Sequence, residues 1–140
     1  MCGIYAYLGR TKTIKDLYPA FMKTQGRGMD SHHMHGIALP MYPVYTRLLL
    51  GFHRLSMVDV HPDGNQPLFL GNRVLICNGE IYNYKDLIHT YKLPVLTGSD
   101  CEVILHLYVR FGLERTCAML DGVFGFVLYD GDTQVMYMAR

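Results

Sequence analysis

Short apolar runs separated by turn residues are the feature that most limits how this chain can fold. Several runs are rich in β-branched and aromatic residues, a composition typical of strands. The predicted strands are residues 2–8, 35–39, 46–53, 68–69, 74–77, 123–129 and 135–138. Short turns, such as Asp130-Gly131-Asp132, join neighbouring runs. The sequence therefore predicts antiparallel sheets.

Helices are expected singly among these strands. Residues 14–24 place apolar side chains on one helical face. The clearest helix is predicted to begin at Ser99, because Ser99 and Glu102 stand three apart as in a capping box, and to end at Gly112. A short helix is expected over residues 113–120. This mixture predicts an α+β fold rather than a doubly wound parallel sheet.

Composition and charge narrow the class of protein. The 140 residues carry thirteen basic and twelve acidic side chains, without the basic stripe that binds nucleic acid. No apolar run approaches the roughly 20 residues that span a bilayer, and no signal peptide precedes Cys2. The four cysteines are far apart and lack C-x-x-C spacing, which is typical of reduced thiols. We expect one cytoplasmic domain over residues 1–140, with neither a membrane nor a nucleic acid as partner.

Cys2 occupies an unusual position. Removal of Met1 would leave a thiol and a free α-amine on one residue. An amine in covalent reach of a nucleophile can act as its base, as in N-terminal threonine enzymes. The alternative is that Cys2 is a small buried residue of the first strand, and taken alone that alternative is favoured because free cysteine is among the most buried residue types.

Asn78, Gly79 and Glu80 follow an apolar run. The Asn78 carboxamide and the Gly79 N–H can stabilise a developing oxyanion, since glycine allows close backbone approach. Asn-Gly between apolar runs is equally a strong hairpin signal. Glu80 is either a solvated turn residue or a carboxylate that receives a substrate ammonium. Taken singly, these residues do not decide between a role at a site and a role in a turn.

Two further charged residues have structural and functional interpretations. Arg54 ends an apolar run, where it can clamp a substrate carboxylate or pair with Asp59. Asp100 lies at a predicted helix start, where the helix dipole alone favours a carboxylate. It can also face an ammonium group.

Three histidines, His32, His33 and His35, resemble metal ligands in type but have no acidic or cysteine ligand beside them at a recognisable spacing. They are interpreted as solvated loop residues. No metal is expected.

Six ordered motifs distinguish these alternatives better than any single residue does. They are Met1-Cys2-Gly3-Ile4, Arg27-Gly28-Met29-Asp30, His53-Arg54-Leu55-Ser56-Met57-Val58-Asp59, Gln66-Pro67-Leu68, Asn78-Gly79-Glu80-Ile81-Tyr82-Asn83 and Thr97-Gly98-Ser99-Asp100. Together they resemble the glutaminase domain of glutamine-hydrolysing asparagine synthetases, which are class II amidotransferases of the N-terminal nucleophile type. The likeness continues through residues 121–126 and covers nearly the whole chain.

The resemblance implies a four-layer α/β/β/α sandwich of two antiparallel sheets, and it leaves open whether this sandwich is complete at the C-terminus. It also implies that Cys2 attacks glutamine, that Asn78 and Gly79 stabilise the oxyanion, and that ammonia is released for asparagine synthesis. The implied substrate-binding residues are Arg54 for the α-carboxylate, Glu80 and Asp100 for the α-ammonium, and Leu55 and Met57 as pocket lining. No cofactor is expected here, since ATP and magnesium belong to the synthetase domain, which this chain lacks.

The chain departs from the family pattern at two places. Gly26 stands where a histidine is usual and Met29 where a proline is usual, in the loop expected to close over glutamine. The sequence stops at Arg140, where family members continue. The synthetase is therefore expected on another segment or on a partner subunit, and association with further copies of the chain stays open. The alternative function is a truncated, non-catalytic module that binds glutamine or a partner chain.

Overall fold

A computed structural model describes residues 2–39, 46–55 and 64–140 of the chain. Within these ranges the backbone forms two antiparallel sheets and four α-helices. The α+β class and the two antiparallel sheets predicted from the sequence are confirmed. The chain divides into two compact units, Met1–Ser56 and Met57–Arg140, and each sheet belongs to one unit.

The first unit contains a three-stranded sheet. Its strands are β1 (Gly3–Gly9), β2 (Ser31–Leu39) and β3 (Thr46–Arg54), in the spatial order β1-β3-β2. Both pairings are antiparallel. The central strand β3 is buried along most of its length, as its apolar composition favours.

One helix, α1 (Ile14–Met22), covers one face of this sheet. Phe21 is its fully buried residue, and the Phe21 ring stacks on the His53 ring of β3 at 3.9 Å between centroids. The ring also lies edge-on to Tyr5 of β1 at 6.1 Å. The helix begins with a capping box in which Thr13 and Asp16 exchange hydrogen bonds. The sequence interpretation did not identify this Thr-x-x-Asp signal.

The prediction that His32, His33 and His35 lie in a loop is wrong. All three belong to β2, which begins at Ser31 rather than at His35. The His32 Nε2 lies 2.9 Å from the Tyr18 hydroxyl. Since β2 is an edge strand of its sheet, polar side chains are tolerated there, and the apolar alternation that marks a buried strand is weak.

The second unit contains a four-stranded sheet. Its strands, in spatial and chain order, are β4 (Leu68–Leu70), β5 (Arg73–Ile81), β6 (Gly122–Asp130) and β7 (Val135–Ala139). All neighbours are antiparallel. One face packs against helices, and the buried residues of that core include Leu75, Cys77, Ile81, Ile104, Leu107, Phe126 and Leu128.

Three helices belong to this unit: α2 (Tyr84–Tyr91), α3 (Glu102–Phe111) and α4 (Leu113–Met119). The predicted start of α3 at Ser99 is wrong, because Glu102 bonds to Leu96 and Thr97 instead of closing a capping box with Ser99. Gly112 ends α3 with φ 76°, which confirms the predicted cap. The sequence interpretation missed α2, which is short and has no side-chain cap at Asn83.

Among the described helices, no helix is long and apolar enough to cross a membrane.

Candidate active site

The Cys2 sulfur lies against the backbone that follows β3. The Leu55 N–H points to Cys2 Sγ at an N–S distance of 3.3 Å, and the Leu55 carbonyl oxygen is 3.5 Å from the same sulfur. Cys2 is only half-buried. The thiol is therefore held against the Leu55 backbone, in a residue that is partly exposed, unlike a core cysteine.

Arg54 shares one face of the sheet with Cys2. The β1–β3 register pairs Gly3 with His53, so its extension by one residue sets Cys2 opposite Arg54. Opposed side chains project from the same face of an antiparallel pair. His53 projects from the other face, where it stacks on Phe21. Arg54 is only 6% exposed. Arg54 is thus a buried residue opposite Cys2, on the face that α1 does not cover.

The loop between α1 and β2 is attached to the same end of the sheet. The Arg27 Nε donates to the Cys2 carbonyl at 3.3 Å, and the Asp30 N–H donates to the Arg54 carbonyl at 3.0 Å. Gly28 packs so closely that a Cβ there would lie 2.5 Å from the His53 carbonyl oxygen. A side chain at this position would require the loop to move. The loop that lacks the usual histidine and proline is therefore still fastened to the Cys2 strand.

Asn78 and Glu80 lie near the end of β5 and project from the face opposite to the helical core. Side chains alternate along a strand, and the neighbours Cys77 and Ile81 belong to that core. Both Asn78 and Glu80 are half-buried. The Asn78 Oδ1 is buried and accepts no hydrogen bond from the described part of the chain. A polar amide is therefore presented with unused hydrogen-bonding capacity.

The backbone N–H groups of Cys77, Gly79 and Ile81 point to the same edge of β5, because N–H groups alternate between the two edges of a strand. The Cys77 N–H donates to Gln66 Oε1 at 2.5 Å, and the Ile81 N–H donates to Asp100 Oδ2 at 2.6 Å. The Gly79 N–H lies between them on the same edge. Gly79 has φ 159°, and a Cβ there would clash with the β6 backbone at Val123 and Phe124. Glycine is thus required at this position.

Two carboxylates lie close to this strand end. Asp100 is 7% exposed. Burial raises the pKa of Asp100 above its usual 3.8, and the nearby negative charge of Glu80 raises it further, although the Ile81 N–H opposes both. A cation near the two carboxylates would stabilise the ionised form of Asp100 and so lower its pKa.

The segment before Asp100 is held by Glu102 of α3. The Glu102 carboxylate accepts from the Leu96 N–H at 2.8 Å, the Thr97 N–H at 2.7 Å and the Thr97 hydroxyl at 2.6 Å. His106, one turn later, lies 3.2 Å from the same carboxylate. Burial alone would raise the pKa of Glu102, but these donors lower it overall. The carboxylate fixes the loop that carries Asp100.

The structure brings the predicted site residues together within each unit. Cys2, Arg54 and Leu55 gather in the first unit, and Asn78, Gly79, Glu80 and Asp100 gather in the second. Met57 lies outside the described residues.

The sequence interpretation did not predict the contacts that two residues, Gln66 and Glu102, make around this site. Gln66 was part of a motif without a role, and Glu102 was interpreted as a capping residue. The sequence signal available for Gln66 was a glutamine directly before Pro67 and the apolar run that follows it. Within residues 2–39, 46–55 and 64–140, no group of three or more histidine, cysteine or acidic side chains could hold a metal ion.

Comparisons with known proteins show which family the chain resembles. A glutamine amidotransferase domain family matches residues 1–140. The glutamine-hydrolysing asparagine synthetases of Bos taurus and Gallus gallus are each 38% identical over 143 aligned positions, which include the whole of this chain. The Homo sapiens enzyme is 37% identical over the same length. The chain spans 24% of the length of each of these relatives.

Proposed function

This chain belongs to the glutamine amidotransferase domain family, and from that premise we propose that it hydrolyses glutamine to glutamate and ammonia. The reaction proceeds through a thioester on Cys2. Met1 must first be removed, so that the α-amine of Cys2 is free to accept the thiol proton.

The Cys2 sulfur attacks the side-chain carbonyl carbon of glutamine and forms a tetrahedral intermediate. When the intermediate collapses, the C–N bond breaks and the nitrogen leaves as ammonia, having taken the proton held by the α-amine. Water then attacks the thioester, the C–S bond breaks, and glutamate departs. The thiol is regenerated, so one water is consumed for each glutamine.

The carbonyl oxygen becomes negatively charged in both tetrahedral intermediates. The Asn78 amide and the Gly79 N–H are the proposed donors to it. The arrangement of β5 carries this proposal: side chains occupy the N–H groups of Cys77 and Ile81, and the Gly79 N–H lies between them on the same edge. Donors fixed in advance stabilise the developing charge without reorganisation.

Substrate recognition uses the charges at the other end of glutamine. The Arg54 guanidinium binds the α-carboxylate, and Glu80 and Asp100 bind the α-ammonium. An ammonium beside Asp100 offsets the burial and repulsion that raise its pKa, which supports this assignment. Leu55 lines the pocket.

The ammonia is used for asparagine synthesis, as the names of the relatives suggest. That step requires a synthetase domain, with ATP and magnesium, on a further segment or on a partner subunit. We place the reaction in the cytoplasm, where thiols stay reduced.

A glutaminase assay tests the proposal. The chain with Met1 removed is incubated with glutamine, and glutamate is measured over time. Cys2→Ala should abolish glutamate production, since the nucleophile is gone. Cys117→Ala, at a half-buried cysteine of α4, is the matched control and should retain activity. Glutamine binding by the unaltered chain without any turnover would contradict the proposal and favour a non-catalytic module.

A further inference from the structure

Gln66 lies where β4 stops pairing with β5. The last β4–β5 pair is Leu68 with Leu75. Extension of this register by two residues would set Gln66 opposite Cys77, but the backbone ladder ends at the Leu68–Leu75 pair. Beyond Leu75, therefore, the backbone of β4 no longer holds that edge of β5.

The Gln66 side chain replaces the missing ladder contact. Its Oε1 accepts from the Cys77 N–H at 2.5 Å, and its Nε2 donates to the Cys77 carbonyl at 3.0 Å. These are the two hydrogen bonds that a paired backbone residue would make. Gln66 is 6% exposed and Cys77 is 1% exposed, so water does not readily replace either bond.

We propose that Gln66 is a positioning residue that holds Asn78 and Gly79 in place for glutamine hydrolysis, an inference that rests on the function proposed above. Cys77 directly precedes these two residues. On one edge of β5, the Gln66–Cys77 bonds and the Asp100–Ile81 bond hold the strand on either side of Gly79. Without Gln66, the stretch from Ile76 to Gly79 keeps β6 on one edge and loses its attachment on the other, whereas Glu80 directly precedes Ile81, which Asp100 still holds.

This position has a specific consequence for catalysis. An oxyanion donor must lie about 2.7–3.1 Å from the developing charge, so a small displacement of Asn78 and Gly79 weakens transition-state stabilisation. Glutamine binding depends on Arg54, Glu80 and Asp100, which do not contact Gln66 through these bonds. Loss of Gln66 should therefore lower kcat more than it lowers affinity for glutamine.

The test compares Gln66→Met, which keeps the length of the side chain but has no hydrogen-bonding amide, with Gln134→Met at an exposed turn residue. We expect kcat per folded protein to fall about tenfold or more in Gln66→Met, since two buried backbone groups lose their partners. The dissociation constant for glutamine, measured in a Cys2→Ala background, should change by less than about twofold. Gln134→Met should match the unaltered chain in both.

Hydrogen exchange provides a readout that does not depend on activity. The amide of Cys77, which loses its hydrogen bond to Gln66 Oε1, should exchange about tenfold faster in Gln66→Met, while the amide of Val127, inside the β5–β6 ladder, should be unchanged. If the unaltered chain produces no glutamate, the proposed function fails, and this exchange comparison alone decides whether Gln66 holds the strand end. Unchanged exchange at Cys77 would overturn the inference.

Gln66→Glu is the second test variant, for use if Gln66→Met does not fold. Its carboxylate would face the Cys77 carbonyl and repel it, whereas the protonated acid has the same shape and hydrogen-bonding pattern as glutamine. Relative to the unaltered chain at each pH, kcat should be low near pH 8 and should recover as the pH falls. A kcat ratio that stays near one at pH 8, or a low ratio that does not recover, would overturn the inference. Gln134→Glu is the control for added charge.

Discussion

Asp100 combines burial with a negative charge near a second carboxylate, Glu80. The raised pKa of Asp100 means that its ionised form is disfavoured in the folded chain. A group whose pKa is raised by folding contributes stability at low pH, and that stability is lost as the pH rises through the folded pKa. Asp100 should therefore lower stability at neutral pH, a cost that is understandable if the charge is needed for an ammonium substrate.

Asp100→Asn tests this interpretation. The asparagine Oδ1 can still accept from the Ile81 N–H, but the buried charge is removed. We expect a higher Tm at pH 7.5, a gain that shrinks as the pH is lowered towards 4, and an affinity for glutamine at least about tenfold weaker. Thermal unfolding and titration calorimetry measure the two effects. Asp121→Asn, at an exposed aspartate, is the control, and unchanged affinity in Asp100→Asn would contradict the ammonium role.

Asn78 offers the sharpest kinetic prediction at the residue scale. Removal of one oxyanion donor typically costs about 10²–10³ in kcat, or about 2.7–4 kcal/mol. Asn78→Ala should therefore reduce kcat by roughly this factor while glutamine affinity stays largely intact. Steady-state kinetics and binding measurements separate the two. Asn72→Ala, at an exposed turn asparagine, should keep its activity, and equal kcat in Asn78→Ala and the unaltered chain would exclude Asn78 as a donor.

At the scale of elements, α3 supports the loop that precedes it. The Ser99–Glu102 spacing suggested a local cap, but Glu102 reaches back to Leu96 and Thr97 instead. A three-residue spacing is a local pattern, and the same carboxylate has a better set of donors in the folded loop. The side chain therefore fixes residues 96–97 rather than the first turn of α3.

Glu102→Gln should destabilise the chain by about 1–3 kcal/mol at neutral pH, because hydrogen bonds to a buried charge are lost. The pKa of Glu102 is lowered by folding, so its contribution is present above the usual value of 4.5 and is lost as the pH falls through the lower folded value. The Tm difference from the unaltered chain should shrink correspondingly below pH 4.5. Glu114→Gln, at an exposed first-turn residue of α4, is the control. A Tm difference that does not change with pH would contradict this account.

At the scale of the whole molecule, the four thiols differ in their readiness to react. Cys77 and Cys101 are 1% and 3% exposed. Cys117 is half-buried, and burial raises the pKa of its thiol, which lowers the fraction of reactive thiolate. Cys2 is half-buried and lies against the Leu55 N–H. The chain as a whole thus favours reaction at one cysteine.

A glutamine-analogue electrophile should therefore add one label per chain, and only to protein that has lost Met1. Intact-mass measurement before and after treatment detects both the loss of Met1 and the label. Cys2→Ala should take up no label, and Cys117→Ala should take up one. Retention of Met1 together with an unlabelled Cys2 would contradict the proposed glutaminase activity.

The sequence by itself determined the α+β class, the positions of most strands and the choice of candidate site residues. Apolar runs and turn residues are local signals, and hydrophobic burial follows them closely enough to predict strands such as β6 and the end of α3 at Gly112. Ordered motifs selected Cys2 and Asn78 as candidate site residues because several motifs occur together, although each residue alone had a structural explanation at least as good.

Tertiary structure alone decided which partners these residues have. Cys2 meets Leu55 across 53 positions, Asp100 meets Ile81 across 19, and Gln66 meets Cys77 across 11. No local periodicity encodes such contacts, because they depend on where separate strands end and which backbone groups remain unpaired there. The same reason explains the histidines of β2, whose position at a sheet edge only the folded chain reveals.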